Sequence, residues 1–188
     1  MELTENKVFE KISSKENIPG KGVYEECWFN SCNFNSADLS GMTLRSCTFN
    51  NCDLSLVILK NTSLQNVKFV TCKLLGVQFN QCKGFLLQLD FKECMLKLST
   101  FYKMKLKNTQ FNSCDLQEAD FSEADLTGAV FENCDLPGAT FVNSNLEKAD
   151  FRSAFNYSIN PEINRIRNAR FSMPGVLGLL TKYDIEIE

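Results

Sequence analysis

Apolar residues recur every five positions along most of this chain. From Phe29 each fifth residue is Phe or Leu, through Phe34, Leu39, Leu44, Phe49, Leu54, Leu59, Leu64, Phe69, Leu74 and Phe79, and Tyr24 extends the series backwards in phase. The phase slips by two residues around Lys83-Gly84, within QCKGFLL. It resumes at Leu86 and runs unbroken from Phe91 to Phe151. The residue two before each Phe or Leu is nearly always small or slim, in the second block as at Cys94, Ser99, Thr109, Cys114, Ala119 and Ala124, with Leu89 and Met104 as exceptions there. Asp or Asn often stands directly before the bulky residue, as in ADF, CDL and SNL.

Neither standard period accounts for this. A helix places apolar residues at i, i+3, i+4 and i+7, and a lone strand alternates strictly. A unit of five with two inward positions is one side of a coil, and four such sides close a square of twenty. Phe91, Phe111, Phe131 and Phe151 are twenty apart, as are Phe101, Phe121 and Phe141. Leu96, Leu116 and Leu136 form a third series, and Leu106, Leu126 and Leu146 a fourth. Alternating Phe and Leu also fits a period of ten. The columns Cys32, Cys52, Cys72 and Cys94, Cys114, Cys134 therefore support twenty more directly. The pattern predicts an all-β solenoid with bulky residues along its axis and small ones beside them, where a large side chain would not fit. Its coils stack at about 4.8 Å, and its ends need caps.

The pentads ADLTG, CDLQE, ADFSE and SNLEK resemble those of the pentapeptide-repeat family, whose fold is a right-handed quadrilateral β-helix. The resemblance runs from Gly22 to Phe171. The two-block layout and the stretch NPEINRIRNARFSMPGVLGLLTKYDIEIE are most similar to the Qnr- and MfpA-like quinolone-resistance subgroup. That resemblance implies an irregular last coil followed by a short helix and a strand that build a homodimer. It also implies a rod that mimics DNA and binds type II topoisomerase. The organisation expected is an N-terminal capping segment at 1–21, carrying Val8, Phe9 and Ile12; a β-helix at 22–171, with the slip near 80–87 and an irregular last coil at 155–170; and a C-terminal helix-strand cap or dimerisation segment at 172–188. Unlike the Gram-negative Qnr proteins, which project long loops, this chain has no interruption beyond the two-residue slip, which reads as a tolerated kink at Gly84.

Composition narrows the chemistry. The 188 residues include nine Cys and no His. Every Cys falls at the small inward position, Cys82 at the slip, and no CxxC pair offers a metal site. Free thiols of that kind behave as small hydrophobes and indicate a reducing, cytoplasmic compartment. Without His, a glycine-rich phosphate loop or metal spacing, no catalytic constellation, cofactor site or metal site is expected, and the chain reads as a non-enzyme. No apolar run approaches the roughly 18 residues of a spanning helix, and the polar N-terminus is unlike a secretory signal.

Charge is uneven. Residues 111–151 hold nine acids, Asp115, Glu118, Asp120, Glu123, Asp125, Glu132, Asp135, Glu147 and Asp150, against one base, Lys148. That segment is therefore −8 in a chain of net charge −3. All nine acids take outward positions, and they are the candidate partner surface, with solubility as the alternative reason for them. Lys92, Lys97, Lys103, Lys105 and Lys107 precede the acids and read as a solvated face or an internal complement, so no direct nucleic-acid contact is expected. MPGVLGLLTKY reads as a short apolar helix and Tyr183–Glu188 as a strand. Val176, Leu177, Leu179, Leu180, Ile185 and Ile187 there supply more apolar surface than a cap needs, which makes them the candidate homodimer interface. The function expected is a non-catalytic protein-binding solenoid. In its sharpest form it is a DNA mimic of DNA gyrase or topoisomerase IV that affects quinolone susceptibility; the alternative is a scaffold with an unrelated protein partner.

Overall fold

The computed structural model describes residues 2–13, 18–183 and 185–186. The chain winds into a four-sided all-β rod in which every strand pairs in parallel with the strand one coil away. On the first face seven strands form one sheet: β2 (Val8–Glu10), β4 (Trp28–Asn30), β6 (Thr48–Asn50), β8 (Val67–Val70), β9 (Leu89–Lys92), β10 (Gln110–Asn112) and β11 (Val130–Glu132). On the fourth face β1 (Glu2–Glu5), β3 (Gly22–Glu25), β5 (Thr43–Arg45) and β7 (Ser63–Gln65) form a second. The second and third faces are joined by single bridges such as Asn33↔Asp53 and Asp120↔Thr140. Registers such as Phe29↔Phe49 and Phe111↔Phe131 fix the coil at twenty residues.

The bulky residues fill the axis. On the first face nine Phe rings, from Phe9 through Phe171, stack face to face with centroids 4.6–5.5 Å apart. On the third face Phe79, Phe101, Phe121 and Phe141 stack at 4.9–5.1 Å. The two columns meet edge to face, as at Phe111–Phe121, 5.7 Å apart and 86° inclined, a geometry that pairs a ring's positive edge with a negative face. The small residues beside them share one task. Cys52 Sγ donates to the Phe29 carbonyl at 3.1 Å, Thr62 Oγ1 to that of Leu39 at 2.8 Å and Ser144 Oγ to that of Phe121 at 2.8 Å. Thiol and hydroxyl are thus interchangeable there, which accounts for the Cys content. All nine cysteines are free and eight are buried. Burial pushes the Cys47 thiol up to about 11 and that of Cys82 to about 12, so both stay protonated and unreactive near neutrality.

Nearly every corner turns through a left-handed residue two positions after the bulky one, with φ between +48° and +74°; Gln81, after Phe79, and Ser153, after Phe151, are exceptions. Asn, Ser and Gly occupy most of these positions, and of these Gly and Asn tolerate that conformation best. The Asp or Asn before the bulky residue supports the turn: Asp120 Oδ1 accepts the Ser122 N–H at 2.9 Å and Asp53 Oδ1 that of Ser55 at 3.0 Å. These are Asx turns, which the short side chain suits.

Four expectations differ. First, the N-terminal segment is itself coil: β1 and β2 pair with β3 and β4, and Phe9 heads the Phe stack. The pentad pattern is faint there because Leu3 and Val8 face outward, but the backbone ladder still closes.

Second, the coil at the slip holds twenty-two residues, since Phe69 pairs with Phe91. The extra length leaves the rod as a bulge, with Phe85 and Leu86 74% and 63% exposed. Leu86 therefore does not resume the core; Leu87 packs against it. On the fourth face the backbone bonds that would join Lys83–Leu87 to Lys105 and Lys107 are missing among the described residues.

Third, the C-terminal helix is two 3₁₀ turns, Gly175–Leu179 and Thr181–Tyr183. In a 3₁₀ turn residues i and i+3 eclipse, which sets Gly175 and Gly178 together against Tyr157. An added Cβ on Gly178 would lie 2.7 Å from that ring.

Fourth, Tyr183, expected to open a strand, instead closes the second 3₁₀ turn, and Ile185 and Glu186 carry no strand. Ile187 lies outside the described residues.

Candidate functional site

The nine acids stand on every side of the rod. Asp115 and Asp135 stack on the second face, Asp120 lies on the third, Asp125 and Glu147 on the fourth, and Glu132 and Asp150 on the first. Glu118 and Glu123 occupy left-handed corners. The surface expected from the sequence is therefore a collar, not a stripe.

Much of that collar is neutralised from the coils on either side. Lys97 lies 3.0 Å from Asp115, Lys103 3.3 Å from Glu123 and Lys107 3.3 Å from Asp125. From the C-terminal side Arg165 lies 3.0 Å from Glu147, while Arg152 and Arg170 lie 2.7 and 3.8 Å from Asp150. Three of the five lysines that precede the acids thus act as their complement. These pairs are partly exposed, so each contributes little to stability, but they cancel field. The Arg152 guanidinium beside Asp150 holds that carboxyl below its ordinary value.

Four acids have no cation within 4 Å among the described residues: Glu118, Asp120, Glu132 and Asp135. They differ in what else they do. Partial burial would raise Asp120, but hydrogen bonds from Ser122, Thr140 and Thr100 outweigh it and hold the carboxyl below its usual range. Asp135 makes no Asx turn, because Pro137, two residues on, has no N–H; it accepts from Asn156 at 2.7 Å. Glu132 accepts from Asn112 and Glu118 from Gln117. Asp135, Glu132 and Glu118 thus serve no turn; Glu132 and Glu118 are exposed and Asp135 is half-buried.

The apolar residues at the C-terminus divide. Leu179 packs against the core and Leu180 is half-buried, whereas Val176, Leu177 and Ile185 are 37–55% exposed. The segment is seated firmly. Ile159 donates to the Gly178 carbonyl at 2.9 Å, Ser158 and Thr181 hydroxyls meet at 2.6 Å, and Glu162 binds both Lys182 and the Tyr183 hydroxyl. A groove of about 680 Å³ between this segment and the last coil is lined by Pro137, Phe155, Tyr157 and Leu177. It extends the exposed apolar surface to Phe155, 48% exposed.

One feature escaped the sequence reading. Leu56 and Leu98 occupy left-handed corners, at φ +56° and +58°, where polar residues are the rule. They are 56% exposed, with Ile58, Leu75 and Met95 beside them at 40–47%. The signal was present as Leu in the second position after the bulky residue, in LSL and LKL, but core periodicity does not look there.

The family profile for the pentapeptide repeat region matches residues 24–101 and 72–151. No curated protein matches the chain by sequence. Among solved structures, full-length QnrB1, a plasmid-mediated fluoroquinolone resistance protein, is similar at 15% identity over 95% of this chain and 99% of that one, with a TM-score of 0.52. A pentapeptide repeat protein from the Arabidopsis thaliana thylakoid lumen is similar at 21% identity over 79% and 88%, with a TM-score of 0.37. HetL, involved in heterocyst differentiation regulation in the cyanobacterium Nostoc, is similar at 15% over 88% of each chain, with a TM-score of 0.30. At these identities the likeness is one of fold.

Proposed function

We propose that this chain, which belongs to the pentapeptide-repeat family, is a non-catalytic rod whose acidic second half takes the place of DNA on a type II topoisomerase, DNA gyrase or topoisomerase IV. The observation that carries the reading is a pair of cation-free carboxylates on neighbouring coils, Asp135 and Glu118, which serve no turn. Coils at about 4.8 Å set successive charges along a rod, and duplex DNA presents one charge per roughly 1.7 Å along its axis. A groove built for that polyanion attracts such a surface over a Debye length of about 8–10 Å at physiological salt. The fold likeness to a fluoroquinolone resistance protein is in keeping with this.

In this reading two copies join through their C-terminal segments, covering Val176, Leu177 and Ile185. Leu177→Asp is then expected to shift the particle to half its mass by light scattering; an unchanged mass would remove that interface from the reading. The buried free thiols favour the cytoplasm. Gyrase supercoiling with increasing protein, with and without a fluoroquinolone, tests the whole. A dose-dependent change near stoichiometric ratios is expected, weakened by Asp115→Asn, Asp120→Asn, Asp125→Asn and Asp135→Asn together, since Asn keeps the Asx turns. The neutralised acids favour a second reading, a scaffold for an unrelated protein, which predicts no effect on supercoiling at any ratio.

A further inference from the structure

Three of the four cation-free acids share one edge of the rod. Glu118 is at the corner between the second and third faces, Asp135 is on the second face and Asp120 on the third. Followed towards the N-terminus, that same edge turns apolar. After Ser36 the corner column reads Leu56, Gly76, Leu98, Glu118, Gly138, with all six residues in left-handed backbone. Met95 pairs directly with Asp115, which pairs with Asp135. The build is the same at both ends. A Cβ on Gly76 would lie 3.0 Å from Leu56 Cδ2, and one on Gly138 would lie 3.2 Å from Glu118 Cγ. In each case a long side chain lies along the axis over the glycine of the next coil. The result is one continuous ridge, apolar from Leu56 to Leu98 and anionic from Glu118 on.

Leucine at those corners is not what folding asks for. An exposed left-handed corner is better served by Asn or Gly, and Leu56, Ile58, Leu75, Met95 and Leu98 leave 40–56% of their surface exposed in the single chain. Residues kept where they cost stability and stay exposed mark contact surfaces.

We infer that this edge, and not the acidic collar as a whole, is the docking surface, and that its occupant is a protein whose basic groove is bordered by an apolar shelf. The charge of the occupant follows from the three unpaired carboxylates, and the shelf from the leucines continuous with them. The inference rests on the reading that the acidic rod binds a protein; it adds which edge does so and that half the contact is apolar.

Three variants separate these elements: L56N/L98N, E118Q/D120N/D135N, and E132Q, a cation-free acid on the first face as control. Two probes are titrated across a salt series: purified DNA gyrase, and a peptide of alternating lysine and leucine. L56N/L98N is expected to melt no lower than the parent, yet to bind both probes at least about tenfold more weakly, with the parent's salt dependence intact. E118Q/D120N/D135N is expected to lose affinity and to flatten the salt dependence. E132Q is expected to bind as the parent does. Peptide binding with these losses, alongside no binding of gyrase, would uphold the edge and remove the topoisomerase from the proposed function. Undiminished binding of gyrase by L56N/L98N, or a loss with E132Q equal to that of one edge acid, would overturn the inference while leaving the acidic reading in place. Failure of the parent to bind either probe would overturn it outright.

Discussion

The two halves of the rod, before and after the bulge at Phe85–Leu86, share one backbone frame and one first-face Phe stack, and differ in the residues of the third face and the corners. Before the bulge the third-face column holds Leu39, Leu59 and then Phe79; after it, Phe101, Phe121 and Phe141 continue the ring stack that Phe79 begins, with neighbouring centroids 4.9–5.1 Å apart. The exposed corners carry Leu56 before the bulge and, after it, Leu98 and then Glu118 and Glu123. The lesson is a division of labour within each five-residue unit. The bulky and small positions together define the coil, and any residue set that fills the axis will do. The corner and flanking positions are open to solvent, so charge or apolar surface placed there changes what the rod can bind without disturbing its winding.

The comparison can be broken most forcefully inside the second half. Phe121 touches two rings face-on and two edge-on. Phe121→Ala is expected to cost about 3–5 kcal/mol, and Leu59→Ala, with no ring stack to disrupt, less. Urea denaturation of both compares the halves directly, and a larger loss at Leu59 would reverse the ranking. At the boundary, deleting Phe85 and Leu86 restores a coil of twenty and lets the fourth-face ladder close. The expected result is a folded rod stabilised by about 1 kcal/mol; a lower melting temperature would show that the bulge itself holds the halves together. In the first half, Leu56→Asn relieves an unfavourable corner and is expected to add about 0.5–1 kcal/mol, whereas Glu118→Asn at the equivalent corner should change stability by less.

The smallest effect is that of pH. Asp120, Asp125 and Asp150 in the second half are held below their ordinary value. Carboxyls depressed in the folded state stabilise it fully above the unfolded value, about 3.9, and that contribution fades as pH falls through the folded value. Stability is therefore expected to be flat from pH 7 to about 5 and to decline below about 4. Hydrogen exchange in acid should open the second half first; a uniform response along the rod would contradict this.

Nearly all of the fold was legible because a close-packed axis admits only certain volumes at certain positions, and Phe, Leu, Cys and Ala report those volumes directly. Legibility failed where the constraint is not volume. Residues 2–13 join the ladder through backbone bonds that no side-chain pattern announces. Leu86 fits the period but not the path, because two added residues need somewhere to go and leave the axis. Gly175 and Gly178 specify a 3₁₀ turn through their fit to Tyr157, eighteen and twenty-one residues away in sequence. Of the candidate site, the acids were legible by composition, but their cancellation was not. Lys97 and Asp115 become neighbours only once the coil length is applied to charges as well as to the core, and Leu56 and Leu98 are visible as outliers only against the corner geometry.

The open ladder beside Lys105 has a mechanical consequence. A beam bonded along three sides and released at one level on the fourth is stiff against every load except one. Opening the fourth face shortens the second, which lies opposite, so this rod has a built-in direction of flexure, concave towards the side bearing Asp115 and Asp135. A partner that presses on that side meets the compliant direction of the rod, and one that presses anywhere else meets its full stiffness.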